Sequence, residues 1–291
     1  MRGPEKSCIV VRRSNGELVI EEKPRGAAAR SRILKLPLIR GVYSLVDSLR
    51  EGMAALNFSA SFFDDEEMEE PGRFEKWLYA KFGSEKIEKV MMGAAMVLGC
   101  AIPIALFFLL PTLLAGLFNS LNISGVVRNL LEGLIRIIIF LTFMALVSRM
   151  KDIKRTFSYH GAEHKTIHCY EKGLELTVPN VRVQPRQHPR CGTSFLFVVM
   201  IVSILVFSVV TWTNPWLRMV LRLALLPVVI AISYEINRFA GRHDNWLTKA
   251  LRAPGIALQR LTTNEPDDSM IEVAIESLKR VIPEEKGADA W

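Results

Sequence analysis

Three histidines in the middle of the chain recur at every fourth position: His160, His164 and His168. In a helix this spacing stacks the three imidazoles on one face. The stretch from His160 to His164 also has the order H-x-x-E-H, in which inverted zincins place two imidazole ligands around a carboxylate base. We therefore predict a divalent metal site, best suited to zinc, with His160 and His164 as ligands and Glu163 as the general base.

A second segment brings further ligand types to the same region. His188 lies three residues before Cys191, and the apolar run from Cys191 to Leu217 carries no charge. If one of the two completes the site, a coordination position stays open for water, as in an enzyme. If both bind, four protein ligands close the shell, as in a structural metal site. The sequence leaves both alternatives open.

The remaining candidates are weaker, because a single histidine or carboxylate is more often hydrogen-bonded than metal-bound. His168 and Glu171 lie on the predicted histidine helix, where we expect them to support the ligands or to pack beside them. The secondary candidates at the end of the last apolar segment are Glu235, His243 and Asp244.

Apolar residues are segregated into long blocks. Half of the 291 residues are hydrophobic although 23% are charged, and no charge occurs from residue 90 to residue 127. Such charge-free runs exceed the ~20 residues that cross a bilayer as a helix. We predict an α-helical polytopic membrane protein with about four transmembrane helices, near residues 89–111, 126–149, 193–213 and 216–238.

Basic residues are distributed unevenly over the predicted loops. The loops at 112–127 and 211–217 contain no Lys or Arg, whereas basic residues crowd the other ends of the spans. By the positive-inside rule, both termini and residues 150–192 face the cytoplasm. The formal net charge of +7 fits loops that face anionic lipid, so we expect no nucleic-acid partner. The unpaired spacing of the cysteines favours a reducing compartment, and the first thirty residues contain no cleavable signal peptide.

The cytoplasmic parts are predicted to form a small α+β unit. Two short strands joined by Ser14-Asn15-Gly16 form a hairpin, and a second hairpin within 174–183 extends the sheet. The second span runs on unbroken to residue 172, which places the histidines just outside the lipid. A capping box from Ser269 to Glu272 opens a last amphipathic helix that ends near Arg280.

Residues 37–60 have a helical apolar period, and that helix either lies on the bilayer or packs on the cytoplasmic domain. The predicted organisation is a β-hairpin region at 1–30, an amphipathic helix, an acidic linker and a cytoplasmic helix at 31–88, two transmembrane helices at 89–149, the metal-site segment at 150–192, two more transmembrane helices at 193–238, and a cytoplasmic helical tail at 239–291.

Charged residues also enter the predicted spans in two stripes. The second span carries Arg128, Glu132 and Arg136 four residues apart, and the fourth carries Arg218 and Arg222. Charge inside a membrane is costly and is normally paired. The stripes therefore form either an interhelical ion-pair ladder, or a polar path or site for an anionic lipid headgroup.

Four segments of the chain resemble the YqhQ-like bacterial membrane proteins, a family built on domain of unknown function 1385. The resemblance covers most of the chain from residue 30 onward, at Arg40-Gly41, residues 159–165, residues 188–195, and Leu261-Thr262-Thr263 with Glu265-Pro266. The family is described as metal-dependent enzymes, and the resemblance implies a multi-pass protein of the bacterial inner (plasma) membrane with a metal site and no settled reaction. Members of that family open with a glycine-rich stretch ending in Met-Met-Arg-Gly, so we expect this chain to start inside that motif and to lack an upstream strand.

The function predicted from these features is metal-dependent hydrolysis of a membrane-associated peptide or lipid at the cytoplasmic surface. One alternative is a scaffold in which a closed metal site only staples the loop to the helices. Another is a transport protein that uses the intramembrane charges. No residue pattern specifies an oligomeric state.

Overall fold

The computed structural model describes residues 1–25, 34, 36–62, 90, 94, 97–99, 101–120, 124–208 and 215–283. The predicted acidic linker, the helix that follows it and most of residues 89–96 of the first span lie outside the described residues. The elements are β1 (Lys6–Arg12), β2 (Leu18–Pro24), α1 (Ile39–Ala60), a π-helical turn (Ala105–Leu109), α2 (Leu110–Gly116), a 3-10 turn (Leu117–Ser120), α3 (Gly125–Val147), α4 (Lys151–Glu171), α5 (Val178–Arg182), α6 (Gly192–Ser208), α7 (Pro215–Arg242), α8 (Trp246–Thr262) and α9 (Asp268–Val281).

Three helices are long and apolar enough to cross a membrane: Val97–Gly116, Gly125–Val147 and Met219–Arg242. Helix α6 is equally apolar but is described over only 17 residues. It packs against α7 through a core of Val202, Phe207 and Val229. The chain thus has the four apolar helices that the sequence predicts, and three of them reach spanning length among the described residues.

A buried charge cluster joins α2, α3 and α7. Glu132 is fully buried. Its carboxylate accepts hydrogen bonds from both terminal nitrogens of Arg222 and from one nitrogen of Arg136, the last at 3.2 Å. The Thr112 hydroxyl donates to the same carboxylate at 2.9 Å. Arg136 Nε also donates to the Phe107 carbonyl of the π-helical turn at 2.9 Å. These contacts hold the three helices together. The side chain of Arg218, the other basic residue of the predicted stripe on the fourth span, lies outside the described part of the chain.

The hairpin of β1 and β2 is antiparallel and pairs Lys6 with Pro24 at one end and Arg12 with Leu18 at the other. Helix α9 covers its apolar face, because Leu278 and Val281 enclose the fully buried Cys8. The other side of α9 packs on α4 and α5. A helix therefore supplies the partner that this hairpin needs for stability.

The second hairpin predicted within 174–183 is not formed; Val178–Arg182 is a short helix instead. Pro179 lies in its first turn, where a missing N–H group is tolerated, whereas in a strand it would remove a ladder bond. Val181 of this helix is buried against α9. The helical conformation of Val178–Arg182 therefore lets the Val181 side chain pack against α9.

Two predicted helix boundaries also need correction. The second span does not run on to residue 172, because α3 ends at Val147 and α4 begins at Lys151. The Ser148 hydroxyl donates to the Ala145 carbonyl at 3.1 Å and so competes with the helical backbone bonds. The last helix begins one residue before the predicted capping box, since Asp267 is the N-cap and accepts from the Met270 N–H at 2.9 Å.

Candidate metal centre

Helix α4 carries the three regularly spaced histidines, and its position is fixed by a close backbone contact. A Cβ atom at Gly161 would lie 2.1 Å from the Asn264 carbonyl oxygen, so only glycine allows this approach. The Asn264 N–H donates to the Phe157 carbonyl at 2.9 Å. The segment after α8 therefore lies directly across the histidine helix.

Three predicted ligands come together as one group, which we call the first group: His160, His164 and Cys191. Their ligand atoms all lie within 4.8 Å of one another, and His160 Nε2 is 3.3 Å from Cys191 Sγ. Cys191 immediately precedes α6, and the Thr193 N–H at the start of that helix points to the sulfur at 3.4 Å. Helix α4 and the N-terminus of α6 thus converge on one small volume.

Backbone carbonyls hold both imidazoles of the first group in a defined tautomer. His160 Nδ1 lies 2.8 Å from the Thr262 carbonyl and His164 Nδ1 lies 2.6 Å from the Arg186 carbonyl. A carbonyl oxygen only accepts, so each Nδ1 carries its hydrogen and donates it. Each Nε2 is left as the atom that can offer a lone pair to a metal.

The sulfur and the imidazole of the first group form a charge pair. Burial alone raises the pKa of the Cys191 thiol, but hydrogen bonds from His160 and His164 outweigh it and lower that pKa to about 5. Burial likewise opposes a proton on His160, yet the hydrogen bond to Cys191 and the Thr262 carbonyl raise the pKa of His160 to about 9. At neutral pH the metal-free site therefore holds the thiolate that a metal needs, and the proton on His160 Nε2 has to leave before that nitrogen can bind a metal.

His188 lies beside these ligands but belongs to a second group with His168 and Glu171. The Arg190 N–H donates to His188 Nδ1 at 3.2 Å, so the neutral ring carries its hydrogen on Nε2. That nitrogen is 3.2 Å from the Glu171 carboxylate. Both ring nitrogens of His188 are therefore engaged in hydrogen bonds.

Glu171 and His168 of the second group have further partners. The Arg190 guanidinium lies 3.4 Å from the Glu171 carboxylate, and His168 Nε2 donates to the Gln187 carbonyl at 2.8 Å. The hydrogen bond from His188 holds the pKa of Glu171 below its ordinary value, while burial lowers the pKa of His168. The second group is a hydrogen-bonded network beside the first.

Gln259 on α8 positions the backbone of His188, and the sequence analysis missed it. Its side chain is fully buried; its Oε1 accepts from the His188 N–H at 2.7 Å and its Nε2 donates to the His188 carbonyl at 2.8 Å. Nε2 is also 3.2 Å from the Ser194 hydroxyl. A polar residue on the buried face of an amphipathic helix is the signal that could have identified it.

Glu163 and the secondary candidates lie outside the first group. Glu163 is half-buried, and it makes no hydrogen bond or ion pair with any described residue. Glu235 binds Arg40 of α1 through both carboxylate oxygens. His243 bonds to the Phe239 carbonyl, and Asp244 pairs with basic residues of α8.

Comparison with known proteins identifies a family and a relative of this chain. Residues 36–284 match the family described as "Protein of unknown function (DUF1385)". The chain is 35% identical over 290 residues to "Uncharacterized protein YqhQ" of Bacillus subtilis (strain 168), which covers 96% of this chain and 88% of that protein. No solved structure matches the chain. All residues of the first and second groups fall within the matched family range.

Proposed function

The chain belongs to the DUF1385 family, and we propose that it binds a divalent metal ion, best suited to zinc, through His160, His164 and Cys191. The metal-loaded protein is a hydrolase that acts on a membrane-associated peptide or lipid. It is a multi-pass protein of the bacterial plasma membrane, with both termini and the metal centre on the cytoplasmic side.

The observation that carries this proposal is the orientation of the ligand atoms. Ligands about 2.2 Å from a tetrahedral zinc ion lie about 3.6 Å from one another, close to the 3.3 Å between His160 Nε2 and Cys191 Sγ. Both Nε2 atoms are freed for the metal by carbonyls that bind Nδ1, the arrangement typical of metal-ligating histidines. The donor set therefore fits a borderline divalent ion.

The same hydrogen bonds favour an enzyme over a closed scaffold. His188, the candidate fourth ligand, offers no free nitrogen because Arg190 and Glu171 engage both sides of its ring. Three protein ligands and one open position are typical of catalytic zinc, whereas four ligands are typical of structural zinc. A bound metal would supply Lewis acidity there. Glu163, adjacent to His164 on α4, is the group proposed to accept a proton from the attacking water.

Transport receives less support from the arrangement of the intramembrane charges. Glu132 is held by Arg136, Arg222 and Thr112, so its contacts stabilise the packing of three helices. A transport site is expected on interrupted helices that line a cavity near the membrane centre. The charge cluster is therefore assigned to helix packing.

Cobalt substitution tests whether the site exists and whether it is open. Purified protein loaded with Co²⁺ should bind about one ion per chain and show a thiolate-to-cobalt charge-transfer band, which Cys191→Ser removes and Glu163→Gln retains. Added cyanide should shift the spectrum, because it occupies the open coordination position. An unshifted spectrum would identify a closed structural site, and absence of bound metal in the wild type would reject the metal proposal.

A further inference from the structure

Helix α8 carries a cationic groove beside the loop that holds Cys191. The groove encloses about 400 Å³, and its basic side chains are Lys249, Arg252 and Arg260. Ala253, Ile256 and Ala257 form its apolar part, and Pro189 closes one side. Cations alternate here with small apolar side chains.

The groove lies on the side of α8 that faces away from the protein interior. The opposite side packs on α6, where a Cβ atom at Gly255 would lie 2.6 Å from the Ser194 Cα atom and where Gln259 is fully buried. By the helical period, Trp246, Ala253 and Ala257 follow one another along the open side. An apolar stripe therefore runs next to the basic residues.

The charges of the groove are not balanced within the described part of the chain. Asp244 pairs with Arg252 at 3.0 Å and with Lys249 at 3.5 Å, but its side chain is 73% exposed. Arg260 makes no ion pair or hydrogen bond with any described residue. Three cations facing one exposed carboxylate leave two positive charges for a ligand.

The surroundings of the groove match a membrane surface. Helix α8 begins four residues after α7, whose apolar part ends at Arg242. Trp246 at its start is 80% exposed, and Leu247 and Leu251 are also exposed. Tryptophan is enriched where a membrane meets water, and basic residues there attract anionic lipid.

We propose that this groove binds the phosphate headgroup of an anionic lipid from the adjoining leaflet. Lys249, Arg252 and Arg260 bind the phosphate oxygens, while Trp246 and the alanine stripe contact the glycerol and the first carbons of the acyl chains. Pro189 lines the groove two residues before Cys191, so the groove adjoins the loop that carries Cys191, where the bound lipid would be a substrate. Its role as the substrate class rests on the proposed hydrolase function.

Lipid binding can be measured on the full-length protein in nanodiscs of phosphatidylcholine, with a fluorescent phosphatidylglycerol as the probe. The wild type should prefer the anionic probe, and the double variant Lys249→Gln/Arg260→Gln should bind it roughly tenfold more weakly, because two phosphate contacts are lost. The matched control is Arg13→Gln/Lys279→Gln, which likewise removes one arginine and one lysine charge, from exposed residues that do not line the groove. Its affinity should equal that of the wild type.

Three results would overturn the lipid site: equal affinity for a zwitterionic probe, an equal loss in the control variant, or displacement by soluble glycerol phosphate at the concentration of the lipid. The last would identify a site for a free phosphate ester. The measurement is repeated on Cys191→Ser, which should keep lipid binding after losing the metal. A wild type that binds the lipid but takes up no metal when loaded would refute the hydrolase and leave the lipid site intact, whereas a metal-loaded wild type without lipid preference would refute only the groove.

Discussion

The first and second groups of the metal centre contain similar side chains and yet differ in what they can bind. In the first group, backbone carbonyls bind Nδ1 of His160 and His164, which leaves both Nε2 atoms directed toward Cys191. In the second, a backbone N–H binds His188 Nδ1, which commits Nε2 to a carboxylate. His168 also donates to a backbone carbonyl, so the difference between the groups lies in His188, which keeps no nitrogen for a metal. The hydrogen-bond partners of a ring, and not the number of nearby histidines, therefore decide whether it can serve as a ligand.

Substituting one imidazole in each group should have the largest effect. His164→Ala removes a ligand and should reduce metal affinity more than a hundredfold, whereas His188→Gln should keep about one metal ion per chain, with affinity reduced about tenfold at most. Competition with a chelator measures both affinities. Loss of the metal in His188→Gln, with His164→Ala unaffected, would reverse the assignment of the two groups.

The charge pair provides a second difference between the groups. In metal-free protein Cys191 should react with iodoacetamide half-maximally near pH 5, since its pKa is lowered to about 5 from the ordinary 9.0. The thiolate is present above that pH and is lost below it. His160→Ala removes the principal hydrogen bond to the sulfur and should move the midpoint upward. Cys169, whose pKa is raised by burial, serves as the internal control and should stay unreactive at pH 7.

The backbone contact at Gly161 should affect the first group much more than the second. Gly161→Ala places a methyl group against the Asn264 carbonyl and displaces the neighbouring Thr262 carbonyl from His160. We expect a loss of about 2 kcal/mol in stability, together with weaker metal binding. Gly241→Ala is the control, because nothing lies within 4 Å of the added carbon. Thermal unfolding in detergent compares the two, and equal melting temperatures would show that the segment after α8 adjusts freely.

The smallest effect is expected for the carboxylate of the second group. Glu171→Gln should keep the metal and change stability by less than about 1 kcal/mol, because the side chain is partly exposed and its charge is screened. The pKa of Glu171 is lowered by its hydrogen bond to His188, so its ionised form stabilises the fold above its ordinary pKa of 4.5. That contribution is lost as the pH falls through the lowered value. Unfolding at acidic pH should therefore depend less on pH in the variant.

The sequence determines the parts of this protein that follow from periodicity and composition. Charge-free runs identify the apolar helices, the fourfold spacing places His160 and His164 on one face, and Ser14-Asn15-Gly16 identifies the hairpin turn. Each of these depends on residues close together in the chain. The sequence does not determine the helix boundaries, because the break at Ser148 and the cap at Asp267 depend on single side-chain hydrogen bonds.

The tertiary structure decides which candidates act together. The carbonyls of Thr262 and Arg186 fix the tautomers of His160 and His164, yet every residue has a carbonyl and no residue type reveals this role. Similarly, Gln259 makes its hydrogen bonds with residues more than sixty positions away. The short helix at Val181 packs this side chain against α9, which is distant in sequence. Long-range hydrogen bonds and packing are set by the way the helices meet, so the sequence supplies the ligand types while the fold determines which of them can share one metal ion.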